Sequence, residues 1–307
     1  MTLALFNRFC IFLVLFISGI VYAVPANLES VESPGFLPAE STHANWVFSG
    51  QVMNENGENY NYFFQLQRNQ NQFHATAALF DAQTKALVFM DESDETINEP
   101  EQYNWHVGRS FLRFNAINDS WIFGVKTQDK KGFNFKVDML NQPKHNLSSQ
   151  NLRAGMDFIV TQTGQLNGHI QTGDTANGQF VTAKTAWFRQ VWLTSHQEHS
   201  HELSSLLCRF NDGSGFYSMK TPEPDAIQGA VAGWFDSQGL PSAMSQFIHV
   251  KESQEGIWDI RIASPQLHFT LSDFVKQRAV VAGFIAEKNK EGFCMLSAEV
   301  MGENKLG

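Results

Sequence analysis

Long apolar runs, helical periodicity, basic clusters and cysteine are all scarce in this 307-residue sequence. Its one extended apolar run, residues 9–21, falls below the ~18–20 residues that a spanning helix needs, so no transmembrane segment is expected in the mature chain. Apolar residues at helical spacing are confined to one short stretch, residues 272–277, where a short helix is expected. Lys and Arg number 22 against 31 Asp and Glu, a formal net charge of −9 with no basic cluster, which excludes nucleic acid and anionic lipid surfaces as natural partners. The three cysteines have no zinc-site spacing, and the chain carries no HExxH, no nucleophile elbow and no Gly-rich phosphate loop opening a helix. No metal and no organic cofactor are expected.

What is present begins with an export signal. Arg8 precedes the apolar run, and Val21-Tyr22-Ala23 then places small residues where signal peptidase cuts, so residues 1–23 read as a signal peptide and the mature chain as periplasmic or secreted in a bacterium. Residues 24–42, rich in Pro, Ser and Glu, read as an extended lead-in. Beyond it the chain breaks into short strand-type runs separated by polar turns. The turn Asn54-Glu55-Asn56-Gly57 lies between two such runs and is a strong hairpin signal, because Asn and Gly tolerate the positive φ of tight turns. Further runs fall at 72–80, 86–90, 110–115, 120–127, 133–140, 156–164, 168–173 and 179–193. A second series occupies 203–210, 215–220, 226–235, 242–250, 256–262, 266–271, 278–286 and 292–300. This rhythm predicts an all-β, antiparallel architecture. The mature length, about 284 residues, lies where one core usually splits, about 250–300 residues, and predicts two domains. Their expected bounds are 43–194 and 203–307, joined by a linker at 195–202. Cys208 and Cys294 are the two cysteines left after export; in an oxidising compartment they form either a disulfide or two separate buried thiols.

Several segments then carry a resemblance in chain order. His43-Ala44-Asn45-Trp46-Val47-Phe48-Ser49-Gly50, with an aromatic strand ending at Arg68, resembles the opening of the carotenoid 1,2-hydratase/AttH-like family. Phe73-His74-Ala75 through Asp81, the stretches 163–168 and 182–192, the turn 208–213 and the close at 292–302 are similar to that family's later motifs. The resemblance implies two tandem lipocalin-like β-barrel or sandwich domains. It also implies cofactor-free chemistry, in which an acid protonates an alkene and an aromatic-lined cavity holds the resulting cation. The sequence departs from the family where that acid would stand. The Glu of the opening motif is absent around Asn45 and Trp46, and the Asp, His and Glu of the later motif read Arg189, Gln190 and Val191. A guanidinium is far too weak an acid to protonate an alkene.

The expected function is therefore binding of an apolar small molecule, a lipid or isoprenoid, in an aromatic-lined barrel cavity. Trp46, Phe48, Phe64, His74, Trp187, Arg189 and Trp192 are the expected ligand-binding residues. The aromatics would pack the ligand, and Arg189 or His74 would orient a polar end. The alternative is a hydratase, isomerase or cyclase using His74 or Asp81 as proton donor, with Asp138, Asp157 and Asp259 more distant candidates. A third reading is a module that binds protein or polysaccharide through an exposed face. Each feature also has a plainer origin: the aromatics as core, His74 as a hydrogen-bonded rim residue, Arg189 as an outward strand residue. His196, His199 and His201 have a spacing that suits a metal, but a solvated linker explains them more simply. Asn146-Leu147-Ser148 forms a sequon without other eukaryotic signals.

Overall fold

The computed structural model describes residues 41–139, 150–152, 155–173, 178–194, 201–221, 230–254, 257–287 and 290–302. The expected signal peptide, nearly all of the lead-in, the sequon, His196 and His199 lie outside the described residues.

Among the described residues there are strands and no helix. The first sheet comprises β1 (His43–Asn54), β2 (Asn59–Asn69), β3 (Gln72–Asp81), β4 (Leu87–Thr96), β5 (Asn104–Val107), β6 (Ser110–Asn115) and β7 (Ser120–Lys126). It continues through β8 (Gly132–Asp138), β9 (Gln150–Leu152), β10 (Met156–Gln162), β11 (Leu166–Gln171), β12 (Gln179–Ala183) and β13 (Trp187–Leu193). The second comprises β14 (His201–Phe210), β15 (Gly215–Lys220), β16 (Ala230–Phe235), β17 (Pro241–Ser242), β18 (Ile248–Gln254), β19 (Ile257–Ile262), β20 (Leu267–Gln277), β21 (Val280–Glu287) and β22 (Lys290–Met301). Both sheets belong to one compact unit. His201 and Glu202, expected in the linker, are the first residues of β14.

The first sheet runs β4-β3-β2-β1-β12-β11-β8-β7-β6-β5 and curls into a nearly closed barrel. Its seam is held by Arg109, at the β5–β6 turn, whose Nε and Nη2 both donate to Asp91 Oδ1 on β4, at 2.9 and 2.7 Å. The neighbouring Gly108 has φ +57°, and a Cβ there would stand 2.6 Å from Ser93 Oγ, so the turn can dock on β4 only with glycine. β1 is shared at its two ends: Met53 and Asn54 pair with β12, while residues 44–49 pair with β13. The single run expected over 179–193 is therefore two strands that contact different parts of β1. The Asn54–Gly57 hairpin forms, with Gly57 at φ +81° and Asn54 Oδ1 accepting from the backbone N–H of Asn56 and Glu58.

The second sheet runs β17-β16-β15-β14-β22-β21-β20-β19-β18 and stops short of closure, a half-barrel. The short helix expected at 272–277 is instead the far end of β20, where the register to β21 shifts between Ser272 and Val275. The shift returns Phe274 to the face of Phe269 and Leu271, and sends Val275 to the other face. A bulge of this kind bends a strand while keeping its apolar residues on the core side, which helical spacing mimics in sequence.

Three apolar layers result. Inside the first barrel lie Trp46, Phe48, Tyr62, Phe64, Trp121 and Phe123, among others. Between the sheets lie Val47, Phe63, Phe80, Phe158 and Trp187 from the first, against Leu207, Tyr217, Phe235, Phe284 and Phe293 from the second. On the concave face of the second sheet lie Leu206, Phe210, Phe216, Ile260 and Phe269. Strands β1 and β13 serve two layers at once, which is why residues 44–50 and all of Trp187–Leu193 are buried without any polar alternation. Cys208 on β14 and Cys294 on β22 are cross-strand partners joined by a disulfide, 86 residues apart in sequence, on the concave face of the second sheet.

One ionic cluster interrupts the inter-sheet layer. Arg189 on β13 is buried and donates through Nη2 to Glu299 Oε1 on β22 at 2.6 Å and to Asn45 Oδ1 at 2.8 Å, and through Nη1 to Ser205 Oγ. Gln65 Nε2 and Ser297 Oγ also donate to Glu299 Oε1, at 3.0 and 2.5 Å. Removing one partner of such a pair leaves a buried charge. Arg189→Leu or Glu299→Leu alone is expected to cost about 3–5 kcal/mol in urea unfolding, and the double variant much less than their sum. Additive losses would show that the pair does not act as a unit.

Candidate functional site

The residues expected to line one cavity are divided by the pleat of the strands. Trp46, Phe48, Phe64 and Trp192 point into the first barrel. There they are packed: Phe48 stacks on Phe123 at 4.3 Å between ring centroids, and Trp46 lies 4.8 Å from Trp105. Gln190, between Phe188 and Trp192 on the same face of β13, is opposite Trp46 on β1. Both amide atoms of Gln190, and Nε1 of Trp46, Trp105, Trp121 and Trp192, are buried without a hydrogen bond among the described residues.

Trp187 and Arg189 alternate to the opposite face and enter the inter-sheet layer. Trp187 lies on Gly215, where a Cβ would come within 2.7 Å of its ring, and meets Phe235 at 5.1 Å. Arg189 is occupied by Glu299, Asn45 and Ser205.

His74 faces outward at the rim. Its Nδ1 lies 2.7 Å from Asp94 Oδ1 and its Nε2 3.0 Å from Thr76 Oγ1. Arg278, from the β20–β21 turn of the second sheet, reaches the same group, with Nη1 3.1 Å from Asp94 Oδ2 and Nε 3.4 Å from Glu92 Oε2. A carboxylate, an imidazole and a hydroxyl in line would suit nucleophilic catalysis, but Thr76 is fully buried and its hydroxyl meets no substrate. The adjoining groove of about 450 Å³ is polar, lined by Gln67, Asn69, Gln72, Phe73, Glu95 and Thr96 beside His74 and Asp94. Asp81 ends β3, and its Oδ1 accepts from the backbone N–H of Gln83 and Thr84 in the turn that follows. Asp138 pairs with Lys136, Asp157 accepts from Asn151, and Asp259 is flanked by Arg261 and His268. No cluster of metal-ligating side chains occurs among the described residues.

A more suitable cavity lies where the sequence singled out nothing. On the concave face of the second sheet a space of about 380 Å³ is lined by Leu206, Ile248, Val250, Trp258, Val281 and Leu296, with Ser204, Ser218, Lys220 and His249 also at its wall. β14, β15, β21 and β22 form one side and β18 and β19 the other. Sequence alternation could have placed Ser204 with Leu206 and Ser218 with Lys220 on one face each, but it does not say which face of the second sheet is concave.

Burial raises the Asp94 carboxyl, but the hydrogen bond and charge of His74, followed by those of Arg278, outweigh it and hold the group below its ordinary value. A depressed carboxyl stabilises the fold above its unfolded pKa, and that contribution is lost as pH falls through its folded pKa. The stability difference between wild type and Asp94→Asn is therefore expected to be present above about pH 4 and to shrink below it, read by urea unfolding across pH. A difference that does not change with pH would exclude this ionic role.

No family model matches the chain, and no curated protein matches it. Solved structures do. An AttH candidate from Nitrosomonas europaea is 13% identical, with 89% of this chain and 98% of that chain covered and a TM-score of 0.62. Kievitone hydratase from Nectria haematococca is 12% identical, with 90% and 94% covered and a TM-score of 0.55. The likeness runs through both sheets in each case, at an identity that carries the fold alone. This chain has the double lipocalin-like fold of the AttH-like proteins, in a divergent form.

Proposed function

We propose that this protein is exported and holds an apolar small molecule on the concave face of its second sheet. The observation that carries this reading is the cavity of about 380 Å³ walled by Leu206, Ile248, Val250, Trp258, Val281 and Leu296. Its size falls within the ~300–1,000 Å³ of small-molecule sites, and its chemistry is theirs, apolar walls with a few polar groups. The N-terminal signal pattern supports export, as does the Cys208–Cys294 disulfide, a bond that persists in oxidising compartments. The first barrel is a less suitable holder because its aromatics already fill it.

A second reading, a cofactor-free hydratase or isomerase, is favoured by the likeness to kievitone hydratase and by Gln190. The unpartnered Gln190 amide and the indole N–H groups around it would hold a water or a hydroxyl inside the first barrel. The buried carboxyl on the interior face of β4, Asp91, is already engaged by Arg109 at the seam.

The test is native mass spectrometry with organic extraction of the mature protein, followed by thermal unfolding of delipidated protein with isoprenoid alcohols and fatty acids. The expected result is a copurifying apolar molecule, and stabilisation of about 2.7 kcal/mol at a hundredfold excess over Kd. Val281→Trp, which fills the cavity, is expected to fold and to lose that stabilisation. A bare mass with no stabilisation by any of these compounds would overturn the reading, and hydration of an added alkene by the wild type would favour the second.

A further inference from the structure

The cavity of the second sheet is uneven in its chemistry. Apart from His249 on the far wall, and Ser205 and Ser297, whose hydroxyls bond to Arg189 and Glu299, its polar side chains gather at one corner, where Lys220 and Ser204 are direct partners across β15 and β14, and Ser218 stands two residues before Lys220 on the same face. Lys220 is exposed and makes no ion pair or ring contact among the described residues. The hydroxyls of Ser204 and Ser218 add two further donors beside its ammonium. Among the described residues no Asp or Glu lines the cavity, although acidic residues outnumber basic ones 31 to 22 in the chain. On the far wall's strand β18, Glu252 is paired with Lys276 at 3.9 Å. From this corner the lining runs apolar across the sheet, through Leu206 and Leu296 to Val281, and Trp258 covers it from β19.

We infer that the ligand is an amphiphile with an anionic head, a long-chain carboxylate, whose head sits at Lys220, Ser204 and Ser218 and whose tail lies along Leu206, Leu296 and Val281. The inference rests on the holding function proposed above and specifies the chemical class of its ligand. An ammonium beside two hydroxyls supplies charge-assisted hydrogen bonds to a carboxylate. A neutral ester or alcohol of the same length gains only the apolar contacts. The tail is excluded from water by the same side chains in either case, so the head alone separates these ligands.

The experiment measures binding of palmitate, methyl palmitate and hexadecanol to delipidated mature protein by calorimetry, for the wild type, Lys220→Met and Lys220→Arg. Palmitate is expected to bind the wild type about tenfold more tightly than the ester or the alcohol. Lys220→Met, which keeps the length of the stem, is expected to remove that preference without changing ester binding, and Lys220→Arg to retain it. Raised salt is expected to weaken palmitate binding alone. Equal binding of all three ligands, unchanged in Lys220→Met, would overturn the anionic head while leaving the holding function in place. Failure of all three to bind would overturn the long-chain carboxylate, and failure of the isoprenoid alcohols as well would overturn the holding function with it.

Discussion

The wall formed by β1, β2 and β13 has to be buried on both faces, and the rest of the molecule is arranged around that requirement. One face closes the aromatic interior of the first barrel, and the other is covered by β14, β15, β21 and β22. Apolar area supplies most of the attraction between the sheets, but it does not fix their registration, since one apolar face slides over another at little cost. The Arg189–Glu299 pair does fix it. A guanidinium donating to Glu299, Asn45 and Ser205 meets all three in one alignment of the sheets, and displacement by one residue would strand the charge. In the family pattern that the sequence resembles, an acidic residue stands at position 189. Here the position holds the cation of a structural pair, and its carboxylate partner is supplied by the second sheet.

β14 and β22 connect this constraint to the cavity. On one face they carry Ser205, Ser297 and Glu299, which meet Arg189. On the other they carry Ser204, Leu206 and Leu296, which line the cavity. The disulfide between Cys208 and Cys294 ties the same two strands. A side chain that pulled Glu299 out of place would therefore shift a strand that forms the floor of the cavity, although no residue of the ionic cluster points its charge into that space.

The architecture was largely legible because turns and strand propensity are local. The Asn54–Gly57 hairpin, β15 and most strand positions followed from residues adjacent in sequence. The second half of β4 did not: residues 91–96 are uniformly polar and look like a loop. They are strand because Asp91 meets Arg109, Glu92 and Asp94 meet Arg278, and Asp94 meets His74, partners between 18 and 186 residues away. The site was less legible for a related reason. Trp187, Arg189, Gln190 and Trp192 are close in sequence, but the two-residue period of a strand sends Arg189 and Trp187 to one layer and Gln190 and Trp192 to another. Lys220 attracted no notice because a lone lysine at a strand end acquires meaning only from Ser204 and the concave face beneath it.

The half-barrel leaves β17 and β18 at its two edges, and unpaired edges are templates on which other strands polymerise. Here both are blunted. β17 is only Pro241 and Ser242, and proline has no N–H to offer, while β18 carries Lys251 and Glu252, a charged stretch unfavourable to stacking. Neither edge is a good template for a further strand. Because, among the described residues, only the connection 243–247 and no ladder of hydrogen bonds joins the two edges, descendants of this chain could adapt to bulkier cargo by trimming edge residues without rewiring the sheet.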